Sequence, residues 1–132
     1  MNKLKGYITK ISKVDDLSLI EIDVEGYVFK SIIIDDIDKP NFNSGDNVDV
    51  FFKETEVVIS TNLNTPISMQ NQLLCKVKSI KKGRLLSEMK LDFNSINLIA
   101  IITTNSLIRL KVKVDDEVLA LIKTNQVMLS KC

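Results

Sequence analysis

The chain carries the segment Phe51-Phe52-Lys53-Glu54-Thr55-Glu56-Val57-Val58-Ile59-Ser60, and 70 residues later a close counterpart, Leu121-Ile122-Lys123-Thr124-Asn125-Gln126-Val127-Met128-Leu129-Ser130. The match continues without a gap back to Asp46 and Asp116. An offset of about 70 residues is the length of a whole small domain, and it exceeds the repeats of solenoid proteins. The sequence therefore predicts two tandem copies of one structural unit.

Alternating apolar and polar residues predict five strands in the first copy. The predicted strands are 4–12, 17–24, 27–34, 48–52 and 56–60. In the second of these strands the apolar residues Leu17, Leu19, Ile20 and Ile22 change phase, which predicts a β-bulge.

The second copy repeats this order, with predicted strands at 75–82, 86–91 and 97–103 and the matched ending at 116–130. One short helix, 105–111, follows Thr103 and Thr104, whose hydroxyls can cap it. Five strands with a short helix between the third and the fourth is the order of an OB-type barrel. We therefore predict an all-β fold of two tandem five-stranded OB-like barrels, each with at most one short helix. The predicted units are 1–62 and 67–132.

The composition argues against several kinds of chemistry. Histidine is absent, which removes the commonest general base and the commonest transition-metal ligand. Cys75 and Cys132 are far apart, so we expect no metal site and no disulfide, with Cys75 in the core and Cys132 exposed. No nucleophile elbow, P-loop or cofactor fingerprint is present, and we predict that the protein is not an enzyme. A polar start and the lack of a long apolar stretch predict a cytoplasmic protein without membrane contact.

The two halves carry opposite charges. Residues 1–66 contain seven lysines and twelve acidic residues, a net charge of −5, whereas 67–132 contain eleven basic and five acidic residues, a net charge of +6. Such halves can attract each other within a chain or between chains. The second half is also the better candidate for an anion site.

Five short motifs follow one another in the second half. They are Ser68-Met69-Gln70-Asn71-Gln72-Leu73, then Val77 with Ile80 and Gly83, then Ser87-Glu88-Met89-Lys90-Leu91, then Ala100-Ile101-Ile102-Thr103-Thr104-Asn105-Ser106, and finally Val118-Leu119-Ala120-Leu121-Ile122-Lys123-Thr124-Asn125-Gln126-Val127. In this order they resemble the Mop domain, the molybdate-binding domain of molbindins and of molybdate-responsive regulators, which is related to TOBE domains. The first half resembles it weakly, through Asn2, Leu4, Gly6 and Lys53.

The resemblance implies a site for a small tetrahedral oxyanion, molybdate or tungstate. Such a dianion offers only acceptor oxygens, so its site needs hydroxyl, amide and lysine donors. The implied oxyanion-binding residues are Ser68, Gln70, Asn71, Thr103, Ser106, Lys123, Thr124 and Asn125, with Lys53 as a further candidate in the first repeat. In the family, the threonine and serine come from a neighbouring domain. Ser106, near the start of the short helix, also fits the usual position of an anion.

Two departures from the family pattern bear on this site. Gln70 stands where the family has an arginine, so one charge-assisted hydrogen bond is lost. In the first repeat, Asp35, Asp36 and Asp38 stand where the threonine and serine are expected, and they would repel a dianion. The preferred anion, and whether the first repeat binds anything, therefore stay open.

We predict an oxyanion-binding protein for storage, buffering or homeostasis of molybdate or tungstate, working as a homo-oligomer, either a trimer or a dimer. One alternative is a regulatory or assembly module whose anion site has decayed. The other is an OB-type nucleic-acid binder, since Lys76, Lys78, Lys81, Lys82 and Arg84 form a basic stretch. Nucleic-acid binding is disfavoured because Phe93 is the only aromatic residue of the basic half that could stack on a base.

Overall fold

The computed structural model describes every residue from Met1 to Cys132. The strands of the first half are β1 (Asn2–Val14), β2 (Leu17–Val24), β3 (Tyr27–Ile34), β4 (Asn47–Phe52) and β5 (Val58–Ser60). The second half contains β6 (Asn71–Lys82), β7 (Leu86–Phe93), β8 (Ile96–Thr103), α1 (Thr104–Leu110), β9 (Glu117–Ile122) and β10 (Met128–Lys131). A short 3₁₀ turn stands before each fifth strand, the first at Glu54–Glu56 and the second at Thr124–Gln126.

The predicted fold class is confirmed, because the strands form two five-stranded sheets with a single short α-helix beside them. The helix lies between the third and fourth strands of the second half, within one residue of its predicted bounds. The corresponding part of the first half is an irregular loop. No helix has the length and apolar character that a membrane crossing requires.

The two sheets exchange their fifth strands. The first sheet has the order β10-β4-β1-β2-β3, and the second has the order β5-β9-β6-β7-β8. Leu129 of β10 lies opposite Val50 of β4, and Ile59 of β5 lies opposite Ala120 of β9. The proposed units 1–62 and 67–132 therefore describe the sequence repeats, whereas each sheet combines four strands of one repeat with the last strand of the other.

The bulge lies in a different strand from the one predicted. Strand β2 alternates without interruption, and its inward positions begin with the buried Ser18. The register shift occurs instead in β1, between Ile8 and Lys10, and β6 has one at the equivalent place. The prediction of a bulge in 17–24 was wrong because Leu17 and Leu19 are apolar but lie on the outward face, where they imitate a change of phase.

One hydrophobic core of 25 buried residues includes side chains from both halves. Phe29 stacks on Phe52 with ring centroids 6.1 Å apart. Tyr27 of the first half meets Phe93 of the second edge-to-face, with centroids 5.6 Å apart. A chain of this length gains more buried surface from one shared core than from two cores of half the size.

Two buried asparagines join the halves and are called the asparagine pair below. The Asn2 amide donates to the carbonyl of Ile99 and accepts from its N–H, both at 2.8 Å. The Asn71 amide makes the same two bonds with Lys30, also at 2.8 Å. Each amide thus imitates one rung of a β-ladder, and it fixes the start of one repeat's first strand against the third strand of the other.

The two cysteines lie where the sequence predicts them. Cys75 is buried in the core and Cys132 is exposed, and both are free thiols. Burial, with a smaller contribution from the carboxylate of Asp92, raises the pKa of the Cys75 thiol to about 12. Cys75 is therefore an inert packing residue.

Candidate functional site

A cavity of about 420 Å³ lies where the second half meets the segment that crosses over from the first. Its polar lining consists of Thr55, Thr103, Ser106 and Arg109, and we call it the hydroxyl pocket. Its apolar walls come from residues 57–59 of the crossing segment and from the strand ends beside α1. The pocket therefore needs both halves, although three of its four polar side chains belong to the second.

The two predicted hydroxyls of the pocket are held by the start of α1. Thr103 ends β8 in an extended conformation, and its Oγ1 accepts the backbone N–H of Ser106 at 3.1 Å. The Thr103 hydroxyl also donates to the Oγ of Ser106 at 2.9 Å. The predicted capping by Thr103 is thus confirmed, and the cap places two hydroxyl oxygens side by side at the pocket wall.

The pocket combines these hydroxyls with an unpaired cation. No aspartate or glutamate lines it, and Arg109 takes part in none of the ion pairs in the structure. Glu54 and Glu56 flank Thr55 in the chain without lining the cavity. A guanidinium and the Ser106 hydroxyl, whose proton the helix cap does not use, provide directed donors, which is the chemistry that a tetrahedral oxyanion requires.

Arg109 and Thr55 are the lining residues that the sequence prediction missed. Arg109 follows Ser106 by three positions on α1, so both side chains lie on one face of the helix. Helical spacing from the predicted Ser106 was therefore a usable signal for Arg109. Thr55 had no such signal, because it reaches the pocket only through the exchange of the fifth strands.

The remaining predicted donors lie elsewhere, at one end of the second sheet. Asn71 pairs with Ile122 in the ladder between β6 and β9, so Gln70 and Lys123 extend from adjacent strand ends. Ser68, Gln70, Lys123 and Asn125 are exposed, and Thr124 is partly buried. This set, which we call the lysine-amide set, precedes β6 or belongs to the turn before β10.

The lysine-amide set faces the first half rather than the hydroxyl pocket. Its 3₁₀ turn lies against β3, and the Ser31 hydroxyl donates to the carbonyl of Val127 at 2.8 Å just after that turn. The equivalent first turn, which begins after the exposed Lys53, lies against β8 instead. Of the eight predicted residues, only Thr103 and Ser106 therefore line the hydroxyl pocket, and five others form the lysine-amide set.

The side chain of Asn71, another predicted oxyanion-binding residue, is bonded within the protein. Its side chain is fully buried, and both its amide nitrogen and its oxygen are bonded to the backbone of Lys30. Asn2 makes the equivalent bonds in the first half. We therefore assign Asn71 to the asparagine pair and leave it out of the proposed anion site.

The first half has no counterpart of the hydroxyl pocket's chemistry. Ile34 ends β3 where Thr103 ends β8, and it is 83% exposed. The next residue, Asp35, is buried and accepts the backbone N–H groups of Asp36 and Asn41 at 3.0 and 3.1 Å. This carboxylate holds an irregular loop in the place of α1.

Comparison with known proteins places the second half in a family. The family model of the TOBE domain matches residues 67–129. The fold is similar to that of the cytoplasmic molybdate-binding protein ModG in a form with molybdate bound, at a TM-score of 0.89 and 20% identity, covering 98% of this chain and 94% of that one. A molybdate-binding protein from Sporomusa ovata is 36% identical over 45% of this chain and 88% of its own, at a TM-score of 0.44. No match was found among curated protein sequences.

These matches agree with the geometry. The family model covers β6 to the start of β10, which includes Thr103, Ser106 and Arg109 but not the part of the pocket wall that the first half supplies. The likeness to ModG covers both halves and shows that the tandem arrangement is a known fold. Residues 67–129 therefore match the TOBE domain, and the two halves together have the fold of ModG.

Proposed function

We propose that the protein binds molybdate, and that tungstate, an oxyanion of the same shape and charge, binds in the same place. The observation that carries this proposal is the hydroxyl pocket, where Thr103, Ser106 and an unpaired Arg109 of the segment that matches the TOBE domain line a cavity free of carboxylates. The description of ModG as a molybdate-binding protein supports the choice of ligand.

The donor chemistry explains how such a site would select its ligand. Hydroxyls and a guanidinium donate hydrogen bonds, so they favour an anion with four acceptor oxygens over a planar or uncharged molecule. Arg109 would supply the charge-assisted contact that Gln70 cannot, although from a different element of the fold. Binding alone needs no proton transfer and no nucleophile, in keeping with a carrier or buffer rather than an enzyme.

We propose a second locus at the lysine-amide set, formed by Ser68, Gln70, Lys123, Thr124 and Asn125. In its own chain this set meets β3, and Asp36 in the loop that follows β3 is exposed. Carboxylates there oppose a dianion, so this locus would bind more weakly than the hydroxyl pocket unless a second chain supplied hydroxyls. A homo-oligomer, either a dimer or a trimer, is the assembly in which this could occur.

We further propose a cytoplasmic role in storing or buffering the anion. The description of ModG as cytoplasmic supports the location. A buffer must release its cargo, and a pocket that is open to solvent and built from few charged groups suits reversible binding better than a closed cage.

Calorimetric titration of the full chain with molybdate, tungstate and sulfate tests the proposal. We expect both metal oxyanions to bind and sulfate to bind more weakly, because its smaller tetrahedron cannot reach all the donors. Ser106→Ala removes a donor but keeps the helix cap, whose acceptor is Thr103, and should weaken molybdate binding several-fold. Ser79→Ala, at an exposed position of β6, is the matched control and should bind as the unsubstituted protein does.

A second variant, Lys123→Gln, separates the two loci. If the hydroxyl pocket is the main site, this variant keeps the strong binding event and loses only a weaker one. Absence of heat and of any shift in melting temperature with all three anions would refute the proposed function.

A further inference from the structure

Thr104, the first residue of α1, is buried and does not line the hydroxyl pocket, although its neighbours Thr103 and Ser106 do. Its hydroxyl donates to the carbonyl of Gly83 at 2.9 Å, and its backbone N–H donates to the carbonyl of Leu85 at 2.8 Å. Two hydrogen bonds from one residue therefore fasten the start of α1 to the turn between β6 and β7. The Thr104 hydroxyl is thus engaged away from the helix cap, which Thr103 alone provides.

A second buried hydroxyl supports this connection. The Oγ of Ser87 lies 2.8 Å from the Oγ1 of Thr104, and both side chains are buried. The Thr104 proton is used in the bond to the Gly83 carbonyl, which can only accept, so Ser87 is the donor between the two hydroxyls. Ser87 therefore holds the Thr104 side chain in place, but the bond from Thr104 to Gly83 does not depend on it.

The turn that receives these bonds is tightly built and belongs to the pocket. A Cβ on Gly83 would collide with the carbonyl of Leu86, so the turn closes only with glycine at this position. The side chain of Leu86 is part of the apolar wall of the hydroxyl pocket. The bonds of Thr104 therefore join the helix that carries the polar donors to the turn that carries one of the walls.

Helix α1 is too short to keep its place without such contacts. It has seven residues, whereas an isolated helix is marginal in water below about 12–15 residues. Its buried residues are Thr104 and Leu107. Leu107 contributes apolar contact, which has no direction, whereas the bonds of Thr104 fix a distance and an orientation. Ser106 and Arg109 belong to the same two turns of helix, so their positions at the pocket follow from that of its start.

The first half shows the same place without the hydroxyl. Asp35 stands where Thr104 stands, and its backbone N–H donates to the carbonyl of Asp16 at 2.8 Å, as that of Thr104 does to Leu85. A carboxylate has no proton to give to the turn, and that of Asp35 accepts from N–H groups of the following loop instead. No helix follows Asp35. The backbone bond is therefore common to both halves, whereas the hydroxyl bond occurs only where the helix and its donors are present.

We propose that Thr104 is a positioning residue of the anion site, whose hydroxyl fixes α1 on the turn at Gly83 and thereby directs Ser106 and Arg109 to the hydroxyl pocket. Thr104 itself does not touch the anion. The inference rests on the proposed function, because it concerns how the proposed donors are held. Donors that are fixed before the ligand arrives bind it more tightly than donors that must be ordered on binding.

Calorimetric titration of three variants with molybdate tests this role. Thr104→Val keeps the shape of the side chain without its hydroxyl, and the dissociation constant should rise about tenfold, the lower end of the range for residues that orient the ligands of metal sites. Thr104→Ser keeps the hydroxyl and should bind nearly as tightly as the unsubstituted protein. Ser87→Ala leaves the bond from Thr104 to Gly83 in place and should have an effect between these two.

Val48→Ala is the control for a general loss of stability. Val48 is fully buried opposite Gly6, at the end of β4 away from the segment that enters the pocket. This variant should lower the melting temperature at least as much as Thr104→Val does, because it leaves a cavity in the core, yet its dissociation constant for molybdate should be unchanged.

Hydrogen exchange followed by NMR adds a measurement that needs no ligand. The N–H of Ser106 is bonded to the Oγ1 of Thr103, so its exchange reports on the start of α1. Exchange at Ser106 should be faster in Thr104→Val than in the unsubstituted protein and in Val48→Ala. Equal exchange in all three proteins would overturn the positioning role.

Failure of this inference can be told from failure of the proposed function. An unsubstituted protein that binds no molybdate would refute the function, and the role of Thr104 with it. If the unsubstituted protein binds molybdate and Thr104→Val binds it equally well, or Thr104→Ser does not restore binding, the function stands and the role of Thr104 is overturned. Equal weakening by Val48→Ala and Thr104→Val would also overturn it, because lower stability alone would then explain the loss.

Discussion

The end of β8 and the end of β3 are equivalent places in the two halves, yet they carry opposite chemistry. The second half presents Thr103, Ser106 and Arg109, and the first half presents Ile34, Ile37 and Pro40 at the same intervals. Both ends meet a 3₁₀ turn that crosses over from the other repeat. The comparison teaches that the backbone arrangement persists while the side chains that would bind an anion are replaced by apolar ones.

The difference extends to the helix that frames the pocket. Thr103 caps α1 in the second half, whereas the buried Asp35 organises a loop in the first. An aspartate that accepts hydrogen bonds from three nearby N–H groups can stabilise a turn without a helix. The first half therefore has an ordered loop at this place, but it lacks the hydroxyl donors of the second half. The two halves thus share one architecture and differ in what their surfaces can bind.

We expect the largest effect on stability from substitutions in the two segments that lead into β5 and β10 and cross to the other sheet. Val57 and Val127 are equivalent residues, buried to 4% and 3% exposure, that lead into the exchanged strands. Val57→Asp and Val127→Asp each place an unpaired charge in the common core, and each should lower the free energy of unfolding by about 3–5 kcal/mol. Urea denaturation followed by circular dichroism measures the loss.

Neighbouring residues of the same segments provide the controls. Val58 and Met128 are 42% and 41% exposed, so Val58→Asp and Met128→Asp should change stability by no more than about 0.5 kcal/mol. If Val127→Asp were tolerated while Val57→Asp was not, the two crossings would be unequal and the symmetry of the comparison would fail.

The asparagine pair gives the next largest effect. Asn2→Leu or Asn71→Leu leaves one backbone N–H and one carbonyl of the facing strand without partners, which should lower the free energy of unfolding by about 2–3 kcal/mol. Equal losses in the two variants, again by urea denaturation, are expected from the equal geometry. Asn62→Leu, at an exposed position between β5 and β6, is the control and should cost less than about 1 kcal/mol.

Replacement of Arg109 tests whether the difference in donors between the two halves determines molybdate binding. Arg109→Gln removes a charge-assisted hydrogen bond worth about 1.5–3 kcal/mol, so the dissociation constant for molybdate should rise at least tenfold. Lys39→Gln removes one positive charge next to Pro40, the residue that matches Arg109, and should leave the constant unchanged. Equal weakening by both substitutions would mean that net charge, and not the pocket, governs binding.

The smallest expected effect concerns Cys75 and its counterpart Gly6. A side chain at Gly6 would collide with the carbonyl of Asp23, whereas Cys75 is accommodated and buried. Because its pKa is raised to about 12, the Cys75 thiol stays protonated at pH 8 and gains reactivity only as the pH rises toward that value. A thiol-reactive disulfide reagent should therefore modify only Cys132 at pH 8, and should reach Cys75 in denaturant; two fast reactions in the native protein would contradict this.

Sequence patterns predicted the strands and the single helix well, because alternation and a threonine cap are local signals. The exchange of β5 and β10 was out of reach, since both ends of the repeat offer the same short apolar strand and the same 3₁₀ turn to either sheet. Whether β5 and β10 pair within their own repeat or with the other repeat then depends on the three-dimensional geometry of the turn that precedes each of them. The same choice decides whether Lys123 or the segment after Lys53 meets Thr103, so the composition of the site could not be read from the motifs.

Asn71 shows the opposite limit of motif reasoning. Its place in the opening motif implied a contact with the anion. In the structure, the amide nitrogen and the amide oxygen of its side chain are both bonded to the backbone of Lys30, so the buried side chain links the two halves. The sequence did contain a signal for this role, because Asn2 occupies the equivalent position in the first repeat. The first repeat keeps this asparagine although it lacks the other donors, which indicates that the asparagine stabilises the fold.

The reciprocal crossing of the fifth strands also bears on how such a protein can change over time. Neither repeat can be discarded, since each completes the sheet of its sibling. The first repeat, which lacks the hydroxyls and the arginine of the pocket, still supplies a strand that the second sheet needs. After a duplication, exchange of the last strands thus gives the two copies one shared core. One copy can then keep its surface residues while those of the other copy change.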